Sequence, residues 1–269
     1  MLQKNQHFNN LEHFLNSSLQ LHTDLQIDLR SCNLVRQNLQ NLFSGITECT
    51  QLQILNLNLE SNKMGKNSLV GFDTALVKCL KLQSLTLNLK FNKVSQEDLQ
   101  ILGFTLQKLA ALQNLAINLE QNTIKVKGIQ NLCQGLQKCS NLSNLTLNLR
   151  TNQTSDEGTQ SLGSALKKCE KLSSISLNLQ FNLIRDNGVL GLRSALENNK
   201  KILNLSLNLE INYIGEKGAL GLVNCLLSCT NLNSLTFYFR YNSTNQKLKA
   251  ILRNKLLKLM RLVVQRVYL

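Results

Sequence analysis

The sequence predicts an α/β solenoid, a stack of short units with one parallel β-sheet on one side and α-helices on the other. Three observations predict it. Residues recur at a constant period of thirty over most of the chain. Each period holds a stretch of alternating apolar residues followed by a stretch with helical spacing. Neither stretch can bury its apolar side inside a single unit, whereas a stack of units can.

In chain order, the first residues, "MLQKNQHFNNLEHF", have no basic region leading into an apolar run, so no secretory signal is expected. Residues 1–20 precede the repeat and are expected to cap its first coil. The repeat occupies 21–245. Its strand leucines begin at Leu25, Ile27 and Leu29, then run through Leu55, Leu57 and Leu59, Leu85, Leu87 and Leu89, and Leu115, Ile117 and Leu119. They continue through Leu145, Leu147 and Leu149, Ile175, Leu177 and Leu179, and Leu205, Leu207 and Leu209, and end at Leu235, Phe237 and Phe239. That makes eight units without an insertion.

Within a unit, "LQSLTLNL" (Leu82 to Leu89) ends in strict alternation and reads as a strand. A turn such as "TNQTSDEG" follows, rich in residues that leave regular structure readily. "GTQSLGSALKKC" (Gly158 to Cys169) then places Leu162 and Leu166 four apart on one stripe of a helix. Acidic residues ahead of the glycine, such as Asp156 and Glu157, suit the positive end of that helix. Strands stack at about 4.8 Å and packed helices at about 8–10 Å, so the helical side is expected on the outer arc of a horseshoe and the sheet on its concave face.

"LSNLTLNLRTNQTSDEGTQSLGSALKKC" resembles the leucine-rich repeat in its ribonuclease-inhibitor-like subclass, in the order of leucines, asparagine, glycine and helical leucines. The resemblance runs from about residue 21 to about residue 242. It departs from the usual form by two extra residues between Leu142 and Asn152. An even extension keeps every side chain on its face, so a longer strand and no bulge is expected. The Asn- and Gln-rich thirty-residue units are also similar to repeat proteins of ciliates, some of which carry a protein-kinase domain. No kinase signature occurs in this chain.

Two asparagine rows stand out. Phase turns Asn58, Asn88, Asn118, Asn148, Asn178 and Asn208 away from the core, with Asp28 and Tyr238 at the ends of the row. These amides are expected either to bond to one another along the sheet or to meet a partner. The charged row two residues on, Arg30, Glu60, Lys90, Glu120, Arg150, Gln180, Glu210 and Arg240, nearly alternates in sign, so neighbours are expected to pair. Candidate concave-face contacts are therefore Asp28, the six asparagines, Tyr238, Arg30, Lys90, Arg150 and Arg240, with Tyr238 and Arg240 the best anchors by residue type. The second row, Asn62, Asn92, Asn122, Asn152, Asn182, Asn212 and Asn242, sits where the chain turns inward. There a buried amide can satisfy stranded backbone groups. The resemblance implies the same continuous ladder, and Cys32 takes its place in the first unit.

Cys49, Cys79, Cys139, Cys169 and Cys229 share a repeat position held elsewhere by Leu109 and Asn199, which fits a small buried hydrophobe better than a disulfide or metal ligand. The histidines, His7, His13 and His22, all lie at the start of the chain, so no nucleophile–histidine–acid set spans the body, and no phosphate-binding loop occurs. No enzyme, metal or cofactor is expected.

The net charge of +14 is unevenly placed. Residues 240–269 hold eight basic residues and no acidic one. Leu248, Ile251, Leu252, Leu256, Leu259, Met260 and Val263 give residues 246–269 an amphipathic helical spacing, expected to cap the last coil, and "LVVQRVYL" reads equally as a closing strand. A basic helix of this kind also suits RNA, acidic lipid or a calmodulin-like protein. The function expected is a non-catalytic, monomeric, intracellular scaffold that binds a protein through the concave face. The alternative is an RNA- or ribonucleoprotein-binding component acting through the C-terminal segment. No apolar run is long enough for a transmembrane helix.

Overall fold

The computed structural model describes residues 2, 5–197, 200–259 and 264–269; of 264 and 265 it describes the backbone alone. Asn199, Met260 and Val263, which were given places above, lie outside the described residues.

Ten strands form one sheet in chain order: β1 Gln6–Phe8, β2 Asp24–Asp28, β3 Ile54–Asn58, β4 Ser84–Asn88, β5 Asn114–Asn118, β6 Asn144–Asn148, β7 Ser174–Asn178, β8 Asn204–Asn208, β9 Ser234–Tyr238 and β10 Val264–Tyr268. Every pair is parallel. From β2 to β10 each residue faces the residue thirty positions later, as Leu55 faces Leu85 and Phe237 faces Val267. No bulge shifts this register, and backbone bonds such as Ser31 N to Glu60 O at 2.9 Å carry the pairing past the strand ends.

The helices are α1 Leu11–Leu15, α2 Arg36–Glu48, α3 Phe72–Val77, α4 Gln96–Lys108, α5 Lys125–Leu136, α6 Ser155–Lys168, α7 Asp186–Gly191, α8 Arg193–Leu196, α9 Glu216–Ser228 and α10 Gln246–Leu257. Leucines at helical spacing on their sheet-facing stripes, such as Leu162 and Leu166, join the inward strand leucines in one continuous core. The architecture is a leucine-rich-repeat solenoid.

Two units depart from the common helix. Gly71 at φ 94° delays α3 until Phe72, and the helix of the sixth unit divides at Leu192 into α7 and α8. Helix spacing also departs from the expectation behind the curvature argument. A Cβ on Gly103 would lie 2.3 Å from Asn131 O, and one on Gly163 would lie 2.1 Å from Gly191 O. Backbone therefore meets backbone between α4 and α5 and between α6 and α7, closer than ordinary side-chain packing permits, and the mismatch with strand spacing shrinks there. Between these tight pairs, α5 and α6 leave a surface groove of about 470 Å³ lined by Gln130, Gln134, Gln160 and Ser164 among others.

At the N-terminal end, β1 pairs with β2 while Phe14 of α1 is fully buried. At the C-terminal end the period simply continues. The start of α10 lies thirty residues after that of α9, and β10 pairs with β9 in the common register. Leu248, Leu252, Leu256 and Leu259 are buried, and Val267 and Leu269 pack on the core.

Candidate functional site

The sheet face turned away from the helices carries every candidate contact residue. Alternation places it: in β4 the burial runs half-buried, buried, half-buried, buried, half-buried, so Leu85 and Leu87 face the core while Ser84, Thr86 and Asn88 face out.

The first asparagine row is half-buried, and it ends the strands. Asn58, Asn88, Asn118, Asn148, Asn178 and Asn208 are the last residues of their strands. Each Oδ1 accepts the backbone N–H two residues on, at 3.2 Å for Glu60, 3.1 Å for Arg150 and 3.0 Å for Glu210. This side-chain turn takes that one N–H out of the ladder, while backbone bonds in the other direction run on past the strand end. Asn58 bonds to Asp28 at the end of the row, but among the described residues no asparagine of this row bonds to the next asparagine. Spare Nδ2 groups reach carboxylates instead: Asn88 donates to Glu60 Oε2 at 3.0 Å and Asn148 to Glu120 Oε2 at 3.1 Å. Asp28 plays the same part in the first unit, accepting from Arg30 N at 3.2 Å. The guanidinium bonds of Arg30 hold its carboxyl below the ordinary carboxylate range.

Charge pairing along the next row is selective. Glu120, itself buried, binds Arg150 at 3.0 Å and Lys90 at 3.3 Å. Arg240 has no carboxylate within ion-pair distance among the described residues, and its guanidinium carbon lies 5.3 Å from the Tyr268 ring centroid. Tyr238 stacks on Tyr268, with centroids 4.6 Å apart and planes 3° apart. At the opposite end of the face lies a recess of about 350 Å³ lined by Gln26, Asp28, Arg30, Asn56, Asn58, Thr86 and Asn88 among others.

The second asparagine row lies beneath the turns. Asn182 is typical. Its Oδ1 accepts from Asn152 N and Thr154 N, both at 3.1 Å, and from Thr154 Oγ1 at 2.8 Å, while Nδ2 donates to Leu149 O at 2.8 Å and Gln180 O at 3.0 Å. Asn62, Asn92, Asn122 and Asn212 make the same coil-to-coil bonds, and Asn242 holds Ile214 N at 3.1 Å. Asn152 differs: its Nδ2 donates to three carbonyls, but its Oδ1 is buried with no donor among the described residues. There the turn leans toward the preceding coil, with Thr123 N and Oγ1 both 3.4 Å from Val94 O.

The repeated cysteines also join coils. Cys139, Cys169 and Cys229 donate to Leu106 O, Leu136 O and Leu196 O of the preceding helices at 3.6, 3.2 and 3.1 Å. Burial pushes the thiols of Cys49 and Cys139 up to about 12 and those of Cys79 and Cys169 up to about 11, which keeps them protonated. Cys32 is exposed. Among the described residues no three metal-ligating side chains gather, and no helix is long and apolar enough to cross a membrane. Turn carboxylates also tie coils together: Asp156 accepts from Arg185 N and Asp186 from Gly215 N, each at 2.7 Å.

Strand phase alone misses the rim at the strand exits, where Phe181, Leu183, Ile211, Tyr213 and Tyr241 stand exposed. The sequence signal was there, since Phe181, Ile211 and Tyr241 are thirty residues apart.

No protein-family model matches the chain, and no curated protein does. A solved internalin from Listeria monocytogenes is similar at 14% identity and TM-score 0.44, covering 91% of this chain and 74% of its own. So distant a likeness carries no functional argument.

Proposed function

We propose that the protein is a non-catalytic scaffold that binds another protein through the open sheet face. The observation that supports it is a continuous face across ten strands, lined by outward side chains and left uncovered by the helices. Such a face suits a long or flat partner surface better than a small substrate. Its contacts are Asp28, Asn58, Asn88, Asn118, Asn148, Asn178, Asn208, Arg30, Lys90, Arg150, Tyr238 and Arg240. The last two anchor it, because Arg240 is free of carboxylates and lies beside stacked tyrosines. In this reading the chain is one domain of the ribonuclease-inhibitor-like subclass, similar to the ciliate repeat proteins, with residues 1–20 and 246–269 closing its ends. It acts as an intracellular monomer, a setting that suits eight free thiols.

A photo-crosslinking side chain at Ser176, on the open face, and another at Ser164, on the helix side, test the proposal in extract of the source cells. Protein adducts should form from Ser176. Adducts from Ser164 alone, or from neither position, would sink it. Adducts of RNA in place of protein would favour the nucleic-acid alternative.

A further inference from the structure

One repeat position, the residue just past each strand's charged row, turns apolar in three consecutive units at the C-terminal end, after a single earlier case at Phe91, which is 40% exposed beside Lys90. It holds Ser31, Ser61, Phe91, Gln121, Thr151, Phe181, Ile211 and Tyr241, all with φ between 51° and 60°. Left-handed backbone suits glycine or asparagine and strains bulky and β-branched side chains most. The last three units nevertheless place Phe, Ile and Tyr there, and Leu183 is a fourth such residue at φ 61°. Burial gives little back, since Phe181 is 53% exposed, Tyr241 73% and the adjacent Tyr213 55%, with Ile211 the most covered at 36%. These side chains strain the backbone and stand largely in water, so the fold gains little from them.

The same end of the molecule is cationic and aromatic. All four tyrosines, at 213, 238, 241 and 268, lie beyond β8. Arg240 sits between rim residue Tyr241 and the Tyr238–Tyr268 stack, and Arg266 is exposed on the same sheet face as Tyr268. Residues 240–269 contain eight basic residues and no acidic one.

We infer that this corner, from the rim onto the C-terminal end of the open face, docks an extended, acidic segment of a partner protein that carries apolar side chains; the inference rests on the protein-binding reading above. Phe181, Ile211 and Tyr241 stand about 4.8 Å apart along the sheet, so together they span about three residues of extended chain. They supply apolar contact, while Arg240 and Arg266 supply charge complementary to carboxylates. Leu183 and Ile211 interrupt the aromatic series with aliphatic side chains, which suit the side chains of a peptide better than a run of stacked bases. The patch turns a corner, and a planar bilayer meets only one side of a corner.

Selection of short random displayed peptides against the full chain tests this. Enriched peptides should be rich in Asp, Glu and large apolar residues. Their synthetic forms should bind at least about tenfold more weakly to the triple variant Phe181→Asn, Ile211→Asn, Tyr241→Asn, and likewise to Arg240→Glu. The triple variant should keep or raise its Tm, because asparagine relieves the left-handed backbone. A lower Tm would mean that these residues serve the fold, and would overturn the inference. So would an absence of acidic bias, full binding by the variants, or no enrichment at all. Binding to phosphatidylserine-containing vesicles or to oligouridylate that the same variants abolish would overturn it too, in favour of a lipid or nucleic-acid surface. Peptides lost on Asn118→Arg but untouched by the rim variants would defeat the inference and leave the protein-binding reading standing. Ser176 crosslinks decide that reading separately.

Discussion

The two asparagine rows are four residues apart in every interior unit, yet they do different work. The turn row is buried and joins each coil to the next, whereas the strand-end row is half-buried and folds its own chain. Chemical identity therefore says little about an asparagine's role here. What decides it is whether its polar partners lie in its own coil or in a neighbouring one.

The contrast predicts a graded mutational response. Asn182→Ala should have the largest effect, because it strands two backbone N–H groups and a hydroxyl in the interior, although Leu149 O keeps Asn152 Nδ2 and Gln180 O keeps Thr151 N as donors. At about 1–3 kcal/mol for a stranded buried group, with partial relaxation, a loss of about 4 kcal/mol is expected in denaturant unfolding. Asn152→Ala should cost about half of that or less, since its Oδ1 has no donor to lose and Leu119 O, Leu149 O and Arg150 O each keep a second donor. Equal losses at the two sites would show that cavity volume, not bonding, sets the cost. Asn148→Ala removes a partly solvated local bond and should cost less than about 1 kcal/mol. A value matching Asn182→Ala would erase the distinction between the rows.

Two smaller effects follow at the N-terminal end, where the turn row finishes in Cys32 instead of asparagine. His22 is buried against Phe8 and Ser17, and burial lowers its pKa. The unfolded chain therefore takes up a proton first as pH falls. The stability lent by neutral His22 is complete above the unfolded value near 6.5 and declines below it. Hydrogen-exchange protection factors, which remove the intrinsic pH dependence of amide exchange, should fall in β1 and β2 between pH 7 and 5.5 more than in β5, and His22→Gln should flatten that difference. A thiol reagent added to the native protein should label Cys32 rapidly and the other seven cysteines only on unfolding. Fast labelling of a second thiol would show that the coils open far more readily than their bonding implies.

Much of the fold was legible because two periods coincide. An alternation of two fixes which side chains face inward, and a repeat of thirty fixes which ones touch, so Leu85 had to sit between Leu55 and Leu115. Bonding was less legible. The first row reads as exposed amides bonding along the sheet, but a carbonyl oxygen next to its own backbone two residues on is the nearer acceptor, and each Asn took that local bond. Alternating charges paired at Glu120 but left Arg240 without a carboxylate, because sign alone does not fix side-chain reach. The late start of α3 at Gly71 and the break at Leu192 depend on single residues against a repeating background, which a period averages away. The apolar rim escaped notice for a different reason. It lies outside the strands, where neither periodicity assigns a face.

The register from β2 to β10 has a genetic consequence. Any two units of the same phase can recombine, and the product gains or loses whole coils with every remaining strand still opposite its correct neighbour. The helix glycines limit this exchange, since Gly103 and Gly135, or Gly163 and Gly191, must travel together to avoid a backbone collision. The molecule can thus lengthen or shorten in steps of one coil, or of two where a glycine pair is involved, so that copy number sets the length of its sheet.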